Sequence, residues 1–363
     1  MKIALLNDTH FGCRNDSPAF ISYHNRFYDE IFFPYLIENK IDTLIHLGDV
    51  VDRRKFINFN TAHNFQKKFW KRLWELKIDT HIILGNHDTY YKNTNEVNSI
   101  EQLVTTFDGV NEPWIYTGPK EVEIGGCRML FLPWICDDNY EDSIYAIDHS
   151  TADICFGHLE VKGFEMHNGV MNDHGLEKEQ LRRFEKVFSG HFHKKSDDGH
   201  IYYLGTQYEI MWSDYNCPKG FHVFDTETRE LERISNPLTI FKKIIYDDKK
   251  TDYTNFDLTP YENCFIKLFV SNKTNEDMFN KLVDCLQNKM NVHEVNIIED
   301  VQSDMFTSVR EDILDQGEDT ITFLNNYVDQ IQTDLNKQKL KEFIKETYIE
   351  ANDHYSKWLY LKK

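Results

Sequence analysis

The chain has 363 residues, enough for two or three domains, and 40% hydrophobic with 28% charged residues is typical of a soluble globular protein. The formal net charge of −19 argues against a protein that holds nucleic acid by general electrostatic attraction. No apolar run reaches the roughly 18 residues of a membrane helix, and the N-terminal apolar stretch is too short for a secretory signal. Seven scattered cysteines favour neither a disulfide framework nor a zinc–thiolate site. We therefore expect a cytoplasmic protein without a membrane segment.

Short β-rich apolar runs alternate with helical stretches over about the first 225 residues, which is the pattern of a layered α/β domain. The predicted strands cover residues 2–7, 43–47, 80–84, 128–132, 154–156, 186–188, 201–204 and 221–225. Between the second and third strands, Phe65, Phe69 and Leu73 recur at helical spacing, so a helix with a buried aromatic face is predicted over residues 61–77. We expect the turn at residues 225–228 to end the sheet.

Two further regions follow the layered domain. Residues 265–270 and 293–298 have strand character on either side of a helical stretch at 276–289, which predicts a small β-α-β module. From residue 303 onward the pattern is helical only. Its two apolar stripes consist of Ile321, Leu324, Val328 and Ile331, and of Leu340, Phe343, Ile344 and Thr347-Tyr348. We therefore predict three domains, covering residues 1–235, 236–302 and 303–363.

Polar side chains that can bind metals follow the predicted strands, each group at the point where a strand ends. In chain order they are Asp8-Thr9-His10, Gly48-Asp49, Gly85-Asn86-His87-Asp88, Gly157-His158 and Gly190-His191-Phe192-His193. Because ligand sites in open α/β sheets form outside the carboxyl ends of the strands, we expect these groups to meet at one edge. Imidazole and carboxylate ligands suit Mn, Fe or Zn, and the absence of cysteine removes the soft option.

The ordered set DTH, GDVVD, GNHD, GH and GHFH resembles the calcineurin-like metallophosphoesterase superfamily. Within it, the likeness is to SbcD-type recombination nucleases, the partners of SbcC-type coiled-coil ATPases, of which phages encode a version as a recombination endonuclease subunit. The resemblance implies an α/β fold: a four-layer α/β/β/α sandwich with a small β-α-β cap and C-terminal helices. It also implies a two-metal-dependent DNA nuclease that acts in recombination and end processing.

The resemblance assigns metal ligands to individual residues. It implies one divalent ion held by Asp8, His10, Asp49 and His193, and a second held by Asp49, Asn86, His158 and His191. Asp49 would bridge the two ions, for which Mn²⁺ is expected and Mg²⁺ is the alternative. His87, next to Asn86, would stabilise the transition state and protonate the leaving 3′-oxygen.

Asp52 lies in the same GDVVDRR run and resembles the acid that phosphoprotein phosphatases pair with their catalytic histidine. We expect it to orient His87, although many SbcD-like relatives have a histidine at this place. An acid at a helix N-terminus is the alternative interpretation. Arg53, Arg54 and His174 are the candidates for contacts to phosphate or DNA, with a solvated surface as the alternative for each.

The acidic charge is compatible with DNA as substrate if bound cations, local basic patches or a partner supply the attraction. No G-x-x-x-x-G-K-[ST] motif occurs, so any ATP dependence requires a separate subunit, and we expect its coiled coil to dock on the C-terminal helices. A homodimer is also expected, with residues 60–74 as the candidate interface.

Two other functions fit the same motifs. A phosphatase or small-nucleotide phosphodiesterase would use the same metal site, although phosphoprotein phosphatases carry GNHE where this chain has GNHD. Small-nucleotide phosphodiesterases share GHFH but give no reason for the region beyond the sheet. The third possibility is a scaffold that binds DNA ends and cleaves them only secondarily, against which the intact ligand set argues.

Overall fold

A computed structural model of the protein describes residues 1–104, 112–167, 170–299, 328, 337–344 and 346–347. The chain divides into two compact units, one formed by Met1–Ile210 with Asn216–Leu238 and the other by Met211–Tyr215 with Thr239–Lys363. The segment Met211–Tyr215 thus belongs to the second unit although it interrupts the sequence of the first, which the sequence pattern does not indicate.

The first unit is built on short strands that form two six-stranded sheets and a small hairpin. The strands are β1 (Lys2–Leu6), β2 (Thr43–His46), β3 (Asp79–Ile83), β4 (Trp114–Tyr116), β5 (Lys120–Ile124), β6 (Cys127–Leu132), β7 (Ile154–Gly157), β8 (Glu165–His167), β9 (Val170–Met171), β10 (Lys186–Ser189), β11 (Ser196–Asp197), β12 (Ile201–Tyr203), β13 (Lys219–Asp225) and β14 (Leu231–Asn236). One sheet has the order β14-β13-β1-β2-β3-β4 and the other β11-β12-β10-β7-β6-β5. In each sheet the central strands are parallel, and antiparallel strands lie at the edges.

The helices of this unit are short segments, several of which run on into one another. They are α1 (Cys13–Asp16), α2 (Pro18–Phe27), α3 (Phe33–Glu38), α4 (Phe59–Asn64), α5 (Lys71–Glu75), α6 (Ser99–Leu103) and α7 (Tyr140–His149), with 3-10 turns at Asp137–Asn139 and Lys178–Leu181. A π-helical turn at Tyr28–Phe32 joins α2 to α3, and another at Phe65–Trp70 joins α4 to α5. The second of these continuous stretches is the helix predicted over residues 61–77, and its Phe65, Phe69 and Leu73 are buried as expected.

The two sheets lie face to face, and helices cover their outer faces. One core cluster contains Ile3 and Ile45 from the first sheet and Phe131, Phe156 and Phe188 from the second. On the outer face of the second sheet, side chains of β6, β7 and β10 pack against α7 and the 3-10 turn Lys178–Leu181. On the outer face of the first, the Phe221 ring contacts rings of α2 and the adjoining π-helical turn. The predicted α/β/β/α sandwich is therefore confirmed.

The second unit has a three-stranded parallel sheet of β15 (Phe241–Asp247), β16 (Phe265–Asn272) and β17 (Glu294–Ile298). The helix α8 (Glu276–Asp284) and a π-helical turn, Cys285–Lys289, connect β16 to β17, as the β-α-β prediction requires. Short 3-10 turns lie at Trp212–Asp214, Tyr253–Asn255 and Thr259–Tyr261. An apolar core fills the space between sheet and helix; it includes Tyr246, Leu268, Phe279 and Leu286.

The turn at residues 225–228 does not end the first sheet. It closes a hairpin, because β14 pairs antiparallel with β13 from Leu231 to Asn236. The prediction was wrong because β14 is an edge strand with mostly half-buried side chains, so its apolar alternation is weak.

Most of the predicted C-terminal helical domain, including Ile321, Leu324, Ile331 and Tyr348, lies outside the described residues. Within them, Val328 is buried, Phe343 is exposed, and residues 337–344 are helical. No helix in the described ranges combines the length and apolar character that crossing a bilayer requires.

Candidate metal centre

The polar groups that follow the predicted strands meet at one edge of the sandwich. Asp8 and His10 follow β1, Asp49 follows β2, and Asn86 and His87 follow β3 of the first sheet. The second sheet supplies His158 after β7, and His191 and His193 after β10. The parallel arrangement of these strands is what carries residues up to 185 positions apart in sequence to the same place, since parallel strands end at one edge (Asp8 to His193).

The backbone at this edge is unusually constrained. Asp8, Asp49 and His191 have φ angles of 48°, 54° and 89°, in the left-handed region that residues other than glycine seldom adopt. A Cβ on Gly85 would lie 2.2 Å from Asp49 Oδ1, and one on Gly48 would lie 2.6 Å from His158 Nδ1. Glycine is thus required at both positions because the backbone passes directly against a ligand side chain. Strain of this kind persists where the surrounding structure enforces it, typically at functional sites.

One group of metal-ligating atoms comprises Asp8, His10 and His193, whose donor atoms lie within 4.8 Å of one another. His10 Nε2 is 3.0 Å from His193 Nε2, 3.9 Å from Asp8 Oδ1 and 3.8 Å from Asp49 Oδ2. Asp8 is held in place by its neighbours, because Asn7 Nδ2 and the His191 backbone N–H both donate to its carboxylate. All four side chains point their donor atoms into one small volume.

A second group comprises Asp49, His158 and His191. Asp49 Oδ2 is 3.4 Å from His158 Nε2, and Asn86 Oδ1 is 3.1 Å from both His158 Nε2 and His191 Nδ1. Since Asp49 Oδ2 also faces His10, the Asp49 carboxylate lies between the two groups. The geometry therefore provides two adjacent clusters of nitrogen and oxygen donors that share one carboxylate.

Divalent cations fit these donors. His158 Nδ1 is 2.7 Å from the Leu47 carbonyl oxygen, which can only accept, so Nδ1 carries the proton and the Nε2 lone pair faces the cluster. Such fixing of one ring nitrogen by a backbone carbonyl is the usual arrangement behind a metal-binding histidine. His10 Nε2 and His193 Nε2 oppose each other at 3.0 Å, and a cation would satisfy both lone pairs. Imidazole, carboxylate and amide oxygen together suit first-row divalent metals.

The electrostatics of the cluster follow from buried charges at short range. Burial alone would lower the pKa of His10 and His158, but Asp52 beside His10 and Asp49 beside His158 outweigh it, and each pKa rises to about 9. Burial raises the pKa of Asp49, yet the adjacent histidines hold it well below its usual range. Burial and the charge of His158 lower the pKa of His191 to about 3. The site thus concentrates negative charge on Asp49, where a cation is most favoured.

His87 lies over the cluster, and its orientation is fixed from two sides. Its backbone N–H donates to Asp49 Oδ1 at 2.8 Å, and its Nδ1 is 2.5 Å from the carbonyl oxygen of Asp52. Its ring meets the His10 ring edge-on with centroids 4.9 Å apart. Because the carbonyl can only accept, Nδ1 donates and Nε2 is left for other partners.

Comparison with known proteins agrees with this arrangement. A family model described as calcineurin-like phosphoesterase matches residues 1–195, which include every residue of the two donor groups. The chain belongs to the calcineurin-like phosphoesterase family. Over 355 residues it is 30% identical to exonuclease subunit 1 of Enterobacteria phage T4, covering 97% of this chain and 99% of that protein.

A second relative of this phosphoesterase is the SbcD component of the nuclease SbcCD from Staphylococcus epidermidis. The two are 24% identical over 232 residues, which cover 51% of this chain and 60% of that protein. Among solved structures, an archaeal phosphodiesterase matches with 18% identity over 65% of this chain and 100% of that one, at a TM-score of 0.33.

The carboxylate of Asp52 does not face His87 in the way the sequence suggested. Asp52 Oδ1 is 3.5 Å from His10 Nδ1, whereas His87 contacts the backbone carbonyl of Asp52. The phosphoesterase therefore uses Asp52 in two directions, with its main chain holding His87 and its side chain approaching the outer nitrogen of His10. The expected pairing of carboxylate and His87 fails because the loop presents its carbonyl to the ring first.

The residues predicted to contact phosphate or DNA have protein partners. Arg53 pairs with Asp16 at 2.8 Å and donates to Asn15 at 2.9 Å, while Arg54 donates to the Thr89 and Tyr91 carbonyl oxygens. Both arginines thus tie loops together near the metal centre. His174 is 78% exposed and lies 3.2 Å from Asp173 Oδ1. None of the three belongs to the donor groups found among the described residues.

Other residues support the site although the sequence analysis gave them no functional role. Asp88, expected in the core, is fully buried and accepts from the backbone N–H groups of Val50, Val51 and Gly85, so it joins the loops after β2 and β3. Tyr208 donates to the Thr9 carbonyl at 2.7 Å and so braces the turn between Asp8 and His10. An acid directly after GNH offered a signal for Asp88, whereas nothing near Tyr208 in sequence points to Thr9.

Proposed function

We propose that this phosphoesterase is a metal-dependent DNA nuclease that works in recombination and DNA end processing, in a phage or bacterial setting. The observation that carries the proposal is the shared carboxylate of Asp49 between two adjacent donor groups, which is what a two-metal hydrolase requires. The relatives named as an exonuclease subunit and as part of the nuclease SbcCD support DNA as the substrate.

Two divalent cations, most favourably Mn²⁺ with Mg²⁺ as the alternative, are the proposed cofactors. Asp8, His10, Asp49 and His193 would hold one, and Asp49, Asn86, His158 and His191 the other. Bound cations of this kind acidify a water molecule and neutralise charge on the phosphate oxygens. The imidazole-rich donor set supports Mn²⁺ over Mg²⁺, because Mg²⁺ prefers oxygen ligands.

The chain's own residues would divide the remaining work. The Asp52 carbonyl holds the His87 ring with Nε2 free, so that a protonated His87 can stabilise the transition state and give its Nε2 proton to the leaving 3′-oxygen. The backbone bond from His87 to Asp49 fixes the distance between this acid and the shared ligand. The Asp52 carboxylate would orient His10 through its outer nitrogen. Arg53 and Arg54, already tied to neighbouring loops, would contribute positive charge along the path of the DNA.

A separate coiled-coil ATPase subunit is the proposed partner. The word subunit in the names of both relatives supports an assembly, and the chain has no phosphate-binding loop of its own. We assign ATPase docking to a helical region at residues 303–363, beyond a nuclease domain at 1–235 and a cap at 236–302. A chain truncated after Val301 should then lose ATPase binding in pull-down assays while its metal-dependent hydrolysis persists. Retained binding would refute this assignment.

A homodimer is the second proposed assembly, in the intracellular compartment where recombination takes place. Phe59 is 93% exposed at the start of α4 and Phe56 lies three residues before it, also exposed. Large exposed aromatic side chains side by side are typical of interfaces. This places the proposed contact at the N-terminal end of the 60–74 region.

Hydrolysis of end-labelled linear duplex DNA tests the nuclease proposal. Wild-type protein and His87→Ala would be incubated with Mn²⁺, Mg²⁺ or EDTA, with a generic phosphomonoester assayed in parallel. We expect DNA loss that requires Mn²⁺ or Mg²⁺ and falls by about 10²-fold or more in the variant. Turnover of the phosphomonoester alone would replace the nuclease by a phosphatase. No turnover of either, with metal bound, would favour the DNA-end scaffold.

A further inference from the structure

A small cavity opens directly beside the second group of metal-ligating residues. Its volume is about 220 Å³, and the ligand His158 forms one of its walls. The remaining walls are largely apolar or aromatic and include Trp134, Ile135, Tyr140, Leu159 and Leu176. All of these residues lie in the first unit, on the outer side of the metal edge.

The aromatic wall is fixed to the metal site on one side. The Trp134 ring centroid lies 5.2 Å from that of His191 and 6.2 Å from that of His158. Its backbone is anchored as well, since Trp134 N donates to the Leu84 carbonyl and Trp134 O accepts from Asn95 and Asn139. The indole is therefore held firmly and only partly covered by protein.

The cavity has an open aromatic side and a polar rim. Tyr140 is 52% exposed at the first turn of α7, although tyrosine usually buries much of its ring. Glu160 and Gln180 line the same cavity. Within the described residues Gln180 uses its side-chain oxygen to cap Glu177, and no hydrogen bond engages its amide NH₂ group. A hydrogen-bond donor and an acceptor thus lie at the edge of an apolar slot.

The geometry points to a nucleobase subsite: the cavity binds the base of the nucleotide whose phosphate lies on the metal centre. This inference rests on the proposed nuclease function and adds the part of the substrate that is recognised. A planar heterocycle buries its faces against aromatic and apolar walls, and its edge meets amide and carboxylate groups. Drug-sized ligands occupy roughly 300–1,000 Å³, so a cavity of about 220 Å³ suits one ring system.

A consequence concerns the state of the DNA. A slot for a single base cannot hold a base pair, so the reacting nucleotide must leave its partner before its phosphate reaches the metal centre. Extrusion of this kind is costly in a paired duplex and least costly at a mismatched or frayed position. The enzyme should accordingly remove an unpaired terminal nucleotide faster than a paired one.

Two oligonucleotide substrates test the subsite in the wild-type protein. One ends in an ordinary nucleotide and the other in an abasic residue, each unpaired and each presented at the 5′ and the 3′ end. We expect KM to be about 10-fold higher for the abasic substrate, the size of one base–aromatic stacking contact. Tyr140→Ala should reduce this ratio and Tyr140→Phe should keep it. Tyr145→Ala is the matched control, since Tyr145 is a comparably exposed tyrosine of α7 that stacks on His149 and does not line the cavity.

Binding without turnover supplies a second readout. An oligonucleotide with terminal 2-aminopurine is titrated with His87→Ala protein in Mn²⁺, and its fluorescence should be quenched because the base stacks on aromatic rings. The double variant His87→Ala/Tyr140→Ala should weaken this quenching, and His87→Ala/Tyr145→Ala should not.

Equal KM for the abasic and ordinary substrates, together with no quenching, would overturn the subsite and leave the nuclease proposal standing. In that case Trp134 only supports the ligand histidines. Absence of hydrolysis for every DNA substrate would instead count against the nuclease proposal itself.

Discussion

The two sheet-based units of this protein bury very different side chains. At the metal edge of the first unit, Asp8, Asp49 and His158 are almost completely excluded from solvent. In the second unit, the space between sheet and helix is filled by apolar side chains such as Leu268 and Phe279. Burial of charged or polar groups costs free energy unless partners satisfy them, whereas burial of leucine or phenylalanine stabilises the fold.

A pair of carboxylates makes the same contrast on a smaller scale. Asp88 in the first unit is fully buried and binds three backbone N–H groups of two ligand-bearing loops. Asp248 in the second unit is only half-buried and accepts from the backbone N–H groups of Thr274 and Asn275 near the start of α8. The first carboxylate fixes the distance between metal ligands, and the second caps a helix. Polar groups in the first unit thus serve the site, and those of the second serve the fold.

Removing the shared carboxylate should have the largest effect. In Asp49→Asn we expect DNA hydrolysis to fall on the order of 10³-fold or more, because both donor groups lose their common anionic ligand. The matched control is Asp247→Asn, which changes a buried aspartate of the second unit. Initial rates in saturating Mn²⁺ give the comparison. Similar losses in both variants would mean that burial of a carboxylate, and not its place at the site, matters.

A core truncation in the second unit should show the opposite behaviour. Leu268→Ala removes a fully buried side chain and should cost about 2–5 kcal/mol of stability. Hydrogen exchange should accelerate in β15, β16 and β17, while the amides of β1 and β2 keep their protection. Hydrolysis per folded molecule should remain close to wild type. Loss of activity at full metal occupancy would show that the second unit takes part in catalysis.

Asp88→Asn should weaken the first unit and its metal binding together. The asparagine oxygen can still accept from Val50 and Val51, but its NH₂ group would face the Gly85 N–H. We expect a loss of about 1–3 kcal/mol in urea unfolding, with lower Mn²⁺ affinity measured by calorimetry. Asp248→Asn should change stability less and leave Mn²⁺ affinity unaltered. If Asp88→Asn lost stability but bound Mn²⁺ normally, the carboxylate would be a structural tie without influence on the ligands.

A pH effect sharpens the comparison further, since the first unit also buries neutral histidines. Burial, with Arg233 and Lys195 nearby, lowers the pKa of His222 from 6.5 to about 3. The unfolded chain then binds a proton that the folded chain refuses, so the stabilising contribution is present above pH 6.5 and is lost as pH falls towards 3. In EDTA, His222→Phe should lose less stability between pH 7 and pH 5 than wild type, by on the order of 2 kcal/mol. His174→Asn, at an exposed histidine, serves as the control, and an unchanged slope in His222→Phe would contradict the assignment.

The ligand edge could be predicted from sequence because each ligand stands directly after a strand and beside a glycine or another ligand. Local pattern was sufficient for Asp8, Asp49, Asn86, His158 and His191, since parallel strands bring their ends together whatever the loops between them do. The same reasoning found the central strands, whose residues are buried on both faces and form continuous apolar runs.

Edge strands and the supporting contacts could not be predicted in the same way. β14 is half-buried and β4 has only three residues, so neither shows a clear period. The orientation of Asp52 depends on whether its carbonyl or its carboxylate reaches His87, a matter of loop conformation. Tyr208 contacts Thr9 across 199 residues, and Trp134 lies against His191 only because two loops converge. These are tertiary facts without a local signature.

The most direct test of the two-metal account is the number of Mn²⁺ ions bound per chain, measured by equilibrium dialysis with metal analysis, in wild type and Asp49→Asn. We predict two ions in the wild-type protein, and one or none in the variant because Asp49 belongs to both donor groups. His87→Ala should still bind two, since His87 is proposed to act on substrate and not on metal. A wild-type protein that hydrolyses DNA with a single bound ion, or an Asp49→Asn variant that retains two, would contradict the account.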